Sequence, residues 1–446
     1  MAQQYKLRLA LCICGFALAN TLPALAATEA DTQKQIEQLQ QQNQALQDQL
    51  RRQQALIDSL ASQVKAIQDS ASARTREAEP SQAATQDRTT SSMSGIASAV
   101  SKVRISGEGG VAIFESGSQG MYPQNSFRID EARLFVEAPI FNNVYFYSEL
   151  NLATREEPDL QLSVGELYLD FENLSRLWGQ DRVLNLRVGR MYTPFGEEYQ
   201  RRYAIDNPLI SHSLTDLWAV DEGLELYGGA GKLTYAMAVQ NGGISDTQDF
   251  DGDKSVAGRI GYDPNPWLHL SASGMRTGHL DVHNDHLSAM WFGNAFFRSL
   301  GSAGTTKFEA NLAEGDIEAR LPHGVLRAFG GYIHYGDNDP AGQNRRDVYY
   351  YTVEGVHDIV GKLYAAARFN QIFADKGFPI VGSGDFEDYF VDELTKEIWR
   401  LNLGLGYRFS DNLVVKAEYS FGQGKTTAGA SRDHEDFLGA EAAFKF

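Results

Sequence analysis

Cysteine is nearly absent. The 446-residue chain has two, Cys12 and Cys14, both close to its start. The rest of the chain therefore has no disulfide framework and no thiolate metal site. Positive charge is also short, with 40 Lys+Arg against 58 Asp+Glu and a net charge of −18. That balance argues against a nucleic-acid partner, which requires a positive field. After residue 27 no stretch reaches the roughly 18 continuous apolar residues of a membrane-crossing helix. The sequence has no Gly-x-Ser-x-Gly, Walker or His-Glu-x-x-His pattern, so neither an enzyme activity nor a cofactor is expected. Glycine and aromatic residues, by contrast, are plentiful: 42 Gly, 24 Phe and 20 Tyr.

Residues 1–26 read as a secretory signal. Lys6 and Arg8 form a charged start, Leu9 to Ala19 an apolar run, and Leu22-Pro-Ala-Leu-Ala26 a small-x-small cleavage site. The apolar run is too short for an anchor. Both cysteines lie inside it rather than at its end, which argues against a lipoprotein. Residues 31–69 keep a heptad spacing. Ile36, Asn43, Leu50, Ile57 and Val64 hold one seam position, and Leu39, Leu46, Gln53, Leu60 and Ile67 the other. This predicts a coiled coil and hence a homo-oligomer, with Asn43 and Gln53 fixing register. The heptads leave dimer and trimer open. Residues 70–102 are polar, without an apolar period, and read as a flexible linker.

From residue 103 the period becomes two. Leu401, Leu403, Leu405, Tyr407 and Phe409 alternate with Arg400, Asn402, Gly404, Gly406 and Arg408; Leu413, Val415, Ala417, Tyr419 and Phe421 alternate with Val414, Lys416, Glu418 and Ser420. Runs of about ten residues with one apolar and one polar face predict an all-β transmembrane β-barrel over 103–446. A β-sandwich also alternates, but its strands average about five to six residues. Sixteen runs are expected, near 103–115, 126–138, 143–154, 162–173, 183–192, 221–229, 232–241, 253–262, 266–276, 305–321, 324–335, 347–357, 360–373, 396–409, 412–423 and 434–446. Short and long connections alternate between them. Short turns are periplasmic in such barrels and long loops extracellular, which puts both barrel ends and the coiled coil on the periplasmic side.

A sixteen-stranded barrel leaves an aqueous channel, so function rests on what narrows it. The long loop 193–220 is rich in apolar residues (Phe195, Tyr199, Tyr203, Leu209, Ile210, Leu217, Trp218). It is expected to fold inward, bringing Arg201 and Arg202 to a constriction where guanidinium groups meet anions. The competing reading is a solvated or lipopolysaccharide-facing pair. Alternation places Arg133, Arg187, Arg259, Arg320, Arg368, Arg400, Arg408 and Lys416 on the lumen face. The same face holds Glu131, Glu137, Glu149, Glu166, Asp170, Glu318, Glu418 and Glu441. The basic set is either a ladder for anions or one half of mutually neutralising pairs. Asp249, Asp251 and Asp253 are a calcium candidate that lacks the distal Glu of an EF-hand. His279, His283 and His286 cluster in one loop without a helix to present them.

The segment Asn185-Leu-Arg187-Val-Gly189-Arg190-Met-Tyr-Thr-Pro194-Phe195-Gly196, with the Arg-bearing loop to Pro208-Leu-Ile, resembles the phosphate-selective porin O/P family. Phe127-Arg-Ile-Asp-Glu-Ala-Arg133-Leu-Phe-Val-Glu137 is similar too. The terminal Phe446, with Phe444, resembles the assembly signal of outer-membrane barrels. The resemblance implies a trimeric porin of the bacterial outer membrane, passing small phosphate-like anions by passive diffusion. Its expected partners are copies of itself, membrane lipid and lipopolysaccharide, small solutes, and peptidoglycan through the coiled coil. The chain departs from the family in one respect, since its basic and acidic lumen candidates are nearly matched. Three alternatives stay open: a weakly selective or sugar porin, a structural barrel tethering the outer membrane to the cell wall, and a barrel enzyme whose catalytic residues lie on separate strands.

Overall fold

The computed structural model describes residues 103–118, 122–154, 162–242, 249, 252–282, 304–342, 344–378 and 394–446. The signal 1–26, the coiled coil 31–69 and the linker 70–102 lie outside the described residues, as does most of the loops 277–304 and 374–395.

Sixteen long antiparallel strands form a closed barrel. They are β1 (Arg104–Ser116), β2 (Ser126–Phe141), β3 (Val144–Ala153), β4 (Ser163–Phe171), β5 (Asn185–Tyr192), β6 (Val220–Ala230), β7 (Leu233–Gln240) and β8 (Ser255–Asn265). The second half comprises β9 (Leu268–Arg276), β10 (Lys307–Leu321), β11 (Gly324–Asp337), β12 (Arg346–Val360), β13 (Leu363–Phe378), β14 (Thr395–Ser410), β15 (Leu413–Thr426) and β16 (Phe437–Lys445). Two-residue pieces at Leu280–Asp281 and Ser431–Arg432 extend the wall at the long-loop end. Each strand pairs with its sequence neighbours, and β1 pairs with β16 from Glu108↔Lys445 to Ser116↔Phe437. Closure leaves no unpaired strand edge. Each expected run corresponds to one strand. The largest difference is at β13, which continues to Phe378 instead of stopping at 373.

The period-two pattern sorts side chains to the two faces of the wall. On β15, Val414, Lys416, Glu418 and Ser420 are buried inward, while Leu413, Val415 and Tyr419 are exposed outward. β2 shows how the phase is reset. Gly110 faces Glu131 and Val111 faces Ile129, so Asp130 has no partner in β1. This bulge turns two successive carboxylates, Asp130 and Glu131, to the buried side. The tight turns use residues that tolerate the left-handed region: Asn143 at φ 58°, Gly231 at 64° and Gly361 at 59°.

The closing seam has its own device. Gly107 and Gly109 of β1 lie beneath the rings of Phe446 and Phe444. A Cβ at Gly107 would stand 2.6 Å from the Phe446 ring, and one at Gly109 3.2 Å from the Phe444 ring. Backbone bonds link the same residues: Phe446 N–H donates to the Gly107 carbonyl (2.9 Å), and Gly107 N–H to the Phe446 carbonyl (3.2 Å). Large rings over glycines cover backbone that would otherwise lack packing. Phe446→Ala and Gly107→Val are each expected to destabilise the seam by about 1–2 kcal/mol. The loss should appear as a lower temperature at which the folded barrel gives up its compact migration on an SDS gel. Gly315→Val, at an open position of the wall, should migrate as the parent does.

Candidate functional site

Between β5 and β6 the chain 193–219 turns into the barrel and packs against its inner wall. Its apolar residues seat in three wall clusters. Phe195, Leu214 and Leu217 join Phe308, Leu312, Tyr335, Tyr350 and Ile372. Ala204 and Leu209 join Tyr364, Val356 and Val414, and Ile210 packs with Phe114 and Phe437. Burying these side chains stabilises the inward fold, and the polar backbone that comes with them needs partners.

Charged wall residues supply those partners. Lys416 Nζ donates to the carbonyls of Ala204 (2.7 Å), Leu209 (2.8 Å) and Asn207 (3.2 Å), and pairs with Glu441 at 2.8 Å. Two residues on, Glu418 accepts the N–H groups of Ile210 (2.6 Å) and Ser211 (2.9 Å), the Ser211 hydroxyl, and Asn402 Nδ2 (2.9 Å). Arg368 donates to the Ser211 carbonyl (2.7 Å) and to Asn207 Oδ1 (3.0 Å). Tyr364 reaches the Pro208 carbonyl (3.0 Å), and Glu131 accepts from Ala204 N–H (3.2 Å). On the other side Arg259 donates to the Gly196 carbonyl (2.6 Å) and pairs with Glu197 (3.1 Å).

The two loop arginines have different surroundings. Arg202 is buried, pairs with Asp216 at 3.1 Å and lies 4.3 Å from the Trp218 ring centre. His212 adds Nδ1 at 3.1 Å from Asp216 and Nε2 at 2.9 Å from the Arg202 carbonyl. Burial raises the Asp216 pKa, but Arg202 and His212 outweigh it and hold the carboxyl below its ordinary range. This contribution to loop stability is therefore full above the ordinary carboxyl range and is lost only as strong acid protonates Asp216. Arg201 closes the 3-10 turn Glu198–Arg201 and keeps 27% of its side chain exposed. Its ion pair is with Glu318 at 3.8 Å, and Glu318 already holds Arg327 (2.8 Å) and Arg320 (2.9 Å). Desolvation and the like charge of Arg327 lower the Arg201 pKa. Arg201 and Arg327, with Arg202, Arg368, Glu198, Glu354 and Phe329, line a small cavity between loop and wall.

Strand register places the eight wall candidates on the inner side, most of them in ion pairs. Arg133 lies 3.5 Å from each of Glu108, Glu131 and Glu149. Arg187 bridges Asp170 (3.1 Å) and Glu225 (3.0 Å). Arg368 pairs with Glu354 at 2.5 Å, and Arg408 with Asp358 at 3.3 Å. Arg320 and Arg408 are half exposed near the short-turn end, whereas Arg400 is buried. The sequence reading missed Arg327 and Glu354. Each was legible as a charge on the inward phase of its strand, facing Glu318 and Arg368 across the register. Of the calcium candidate, Asp249 engages Lys254 and Asp253 pairs with Arg276 (3.1 Å), while Asp251 lies outside the described residues. His279 stands 3.7 Å from Glu309; His283 and His286 lie outside the described residues.

Removing Lys416 from its buried pair with Glu441 costs about 3–5 kcal/mol, and removing Glu418 leaves two buried N–H groups without their acceptor. Glu418→Ala and Lys416→Ala are each expected to loosen the 204–211 part of the loop. Limited proteolysis should then cut within 204–211 at lower protease concentration than in the parent, with Arg320→Ala close to the parent.

No protein-family model and no curated protein matches the chain. Among solved structures the fold is similar to OmpT, an outer membrane protein of Vibrio cholerae. The identity is 14% and the TM-score 0.51, over 77% of this chain and 97% of that one. It is also similar to the outer membrane channel DcaP of Acinetobacter baumannii, at 13% identity and a TM-score of 0.51, over 77% and 97% of the two chains. At such identities the likeness is one of fold: a closed sixteen-stranded barrel of the architecture found in those outer-membrane proteins.

Proposed function

We propose that the protein is an outer-membrane channel for passive diffusion of small solutes, narrowed by the loop 193–219, with a homotrimer as its expected assembly. Arg201 is the contact for an anionic group on the solute, with Arg327 beside it held between Glu318 and Glu354 (2.8 Å each). The observation that carries this reading is the contrast between the two loop arginines. Arg202 is sealed onto Asp216 and Trp218, whereas Arg201 is partly exposed and its ion pair, with Glu318, is long at 3.8 Å. A solute anion here exchanges part of its hydration for guanidinium donors and then moves on. One such contact makes a shallow site, suited to passage more than to capture.

A weakly selective channel is the second reading, and lateral charge pairing favours it. Along one inner rung Glu318, Arg327, Glu354 and Arg368 alternate in sign across four strands. Neighbouring opposite charges cancel at the distance of a passing ion, so they supply little net field. A phosphate-specific pore needs arginines that face the solute, and these face carboxylates.

The reversal potential in a KCl gradient across a planar bilayer tests the contact. Arg201→Gln is expected to lower the anion-to-cation permeability ratio by up to about fivefold, the effect of one partly exposed charge worth about 1 kcal/mol. An unchanged ratio at unchanged conductance would remove Arg201 from the path. Added phosphate should reduce KCl conductance only slightly; strong block would restore phosphate specificity.

A further inference from the structure

The inner wall differs in chemistry from one side of the barrel to the other. Across β10–β13 one inward rung is charged throughout: Glu318, Arg327, Glu354 and Arg368. Across β2–β4 aromatic rings take the inward phase. Phe135 of β2 lies 6.4 Å from Tyr147 of β3, with planes 23° apart. Tyr147 lies 5.1 Å from its register partner Tyr168 of β4, with planes 24° apart. Tyr203 of the loop 193–219 adds a fourth ring, 6.1 Å from Phe135. Its hydroxyl donates to Glu149 (3.1 Å), two residues further than Tyr147 from the short β2–β3 turn. The row of wall rings therefore lies on the short-turn side of the loop.

The rim of this row is polar. Arg187 of β5 lies over the rings of Tyr168 (5.0 Å) and of Tyr227 on β6 (4.3 Å). Asp170 (3.1 Å) and Glu225 (3.0 Å) hold it there, and the Tyr227 hydroxyl donates to Asp170 (2.7 Å). Glu137 stands opposite Tyr147 in the register and meets Arg104 at 3.8 Å. Phe135 and Tyr147 keep part of their surface exposed. On β2 the inward neighbours of Phe135 are Arg133 and Glu137, so a ring without a polar atom breaks a charged phase. Apolar surface kept in a wet lumen costs free energy that a ligand covering it recovers.

We propose that the aromatic row Phe135–Tyr147–Tyr168 binds the ring of a neutral saccharide. A sugar ring offers an apolar C–H face to the aromatic platform and hydroxyls to the rim, where Glu137 and Asp170 accept and Arg187 donates. Other ring-bearing or apolar solutes fit less well. An aromatic anion meets two carboxylates, Asp170 and Glu225, for the one guanidinium of Arg187. An organic cation finds the faces of Tyr168 and Tyr227 already taken by Arg187. A hydrocarbon desolvates the rim without giving it hydrogen bonds. The inference rests on the channel reading above and names a class of solute for it. It does not depend on the anion contact at Arg201.

The test titrates the full-length protein, in a detergent without a sugar headgroup, with maltotriose and reads saturation-transfer difference NMR. Saturable transfer to the sugar C–H protons is expected, weakened at least about tenfold by combined Phe135→Leu and Tyr147→Leu and about threefold by Phe135→Leu alone. Compact migration on an SDS gel checks that each variant is folded. Absence of saturable binding to the parent overturns the proposal, as does equal binding by parent and folded double variant. Benzoate bound more tightly than maltotriose, and lost in the same variant, overturns it in favour of an aromatic solute. The readout needs no current, so the two readings fail separately. A barrel that conducts KCl in a planar bilayer without binding maltotriose overturns this inference alone. One that binds the sugar through these rings and conducts nothing supports it and overturns the channel reading.

Discussion

Lys416 and Glu418 stand two residues apart on the inner face of β15 and hold opposite poles of one loop backbone. The ammonium gathers three carbonyls between Ala204 and Leu209, and the carboxylate takes the next two N–H groups, Ile210 and Ser211. A segment crossing the interior of a barrel has no ladder of its own, and its buried peptide groups need partners. Charged side chains of the wall supply them, at a desolvation cost that only complete pairing offsets. The position of the loop, and with it the shape of the space inside the barrel, follows from this grip.

That role also describes how the inward arginines are engaged by the wall and the loop. A guanidinium has five donors in a rigid fork. Arg368 uses its fork on Glu354, on the Ser211 carbonyl and on Asn207. Arg187 divides its own between Asp170 and Glu225. Opposite charges directly across a strand pair also stabilise the wall itself. Groups engaged in this way shape the field through their pairing, and the partly exposed Arg201 stands out against that background.

The outer surface answers to a different solvent. Apolar outward residues need no partner in lipid, and the aromatic contacts from Tyr351 through Phe369 and Trp399 to Phe421 form a belt along one side. Inside, most of the inward arginines meet carboxylates; outside, polar groups gather at the long-loop end of this belt. The same two-residue period serves both, because each strand presents one face to each environment.

The sequence by itself determined the sixteen strands and the inward fold of the 193–220 loop. These follow from alternation, turn residues and loop composition, all properties of short stretches of chain. It also determined which charges share the inner face. Only the tertiary structure decided which of them meet. Arg201 and Arg202 are adjacent in sequence, yet one seals the loop to itself through Asp216 and Trp218 while the other stays partly exposed. Glu418 binds residues more than two hundred positions away. The Asp130 bulge, which turns two neighbouring carboxylates inward, breaks the local period and appears only in the register between β1 and β2. Periodicity reports which face a residue takes. The partner it finds there depends on strand register and loop path, which are fixed by contacts between distant parts of the chain.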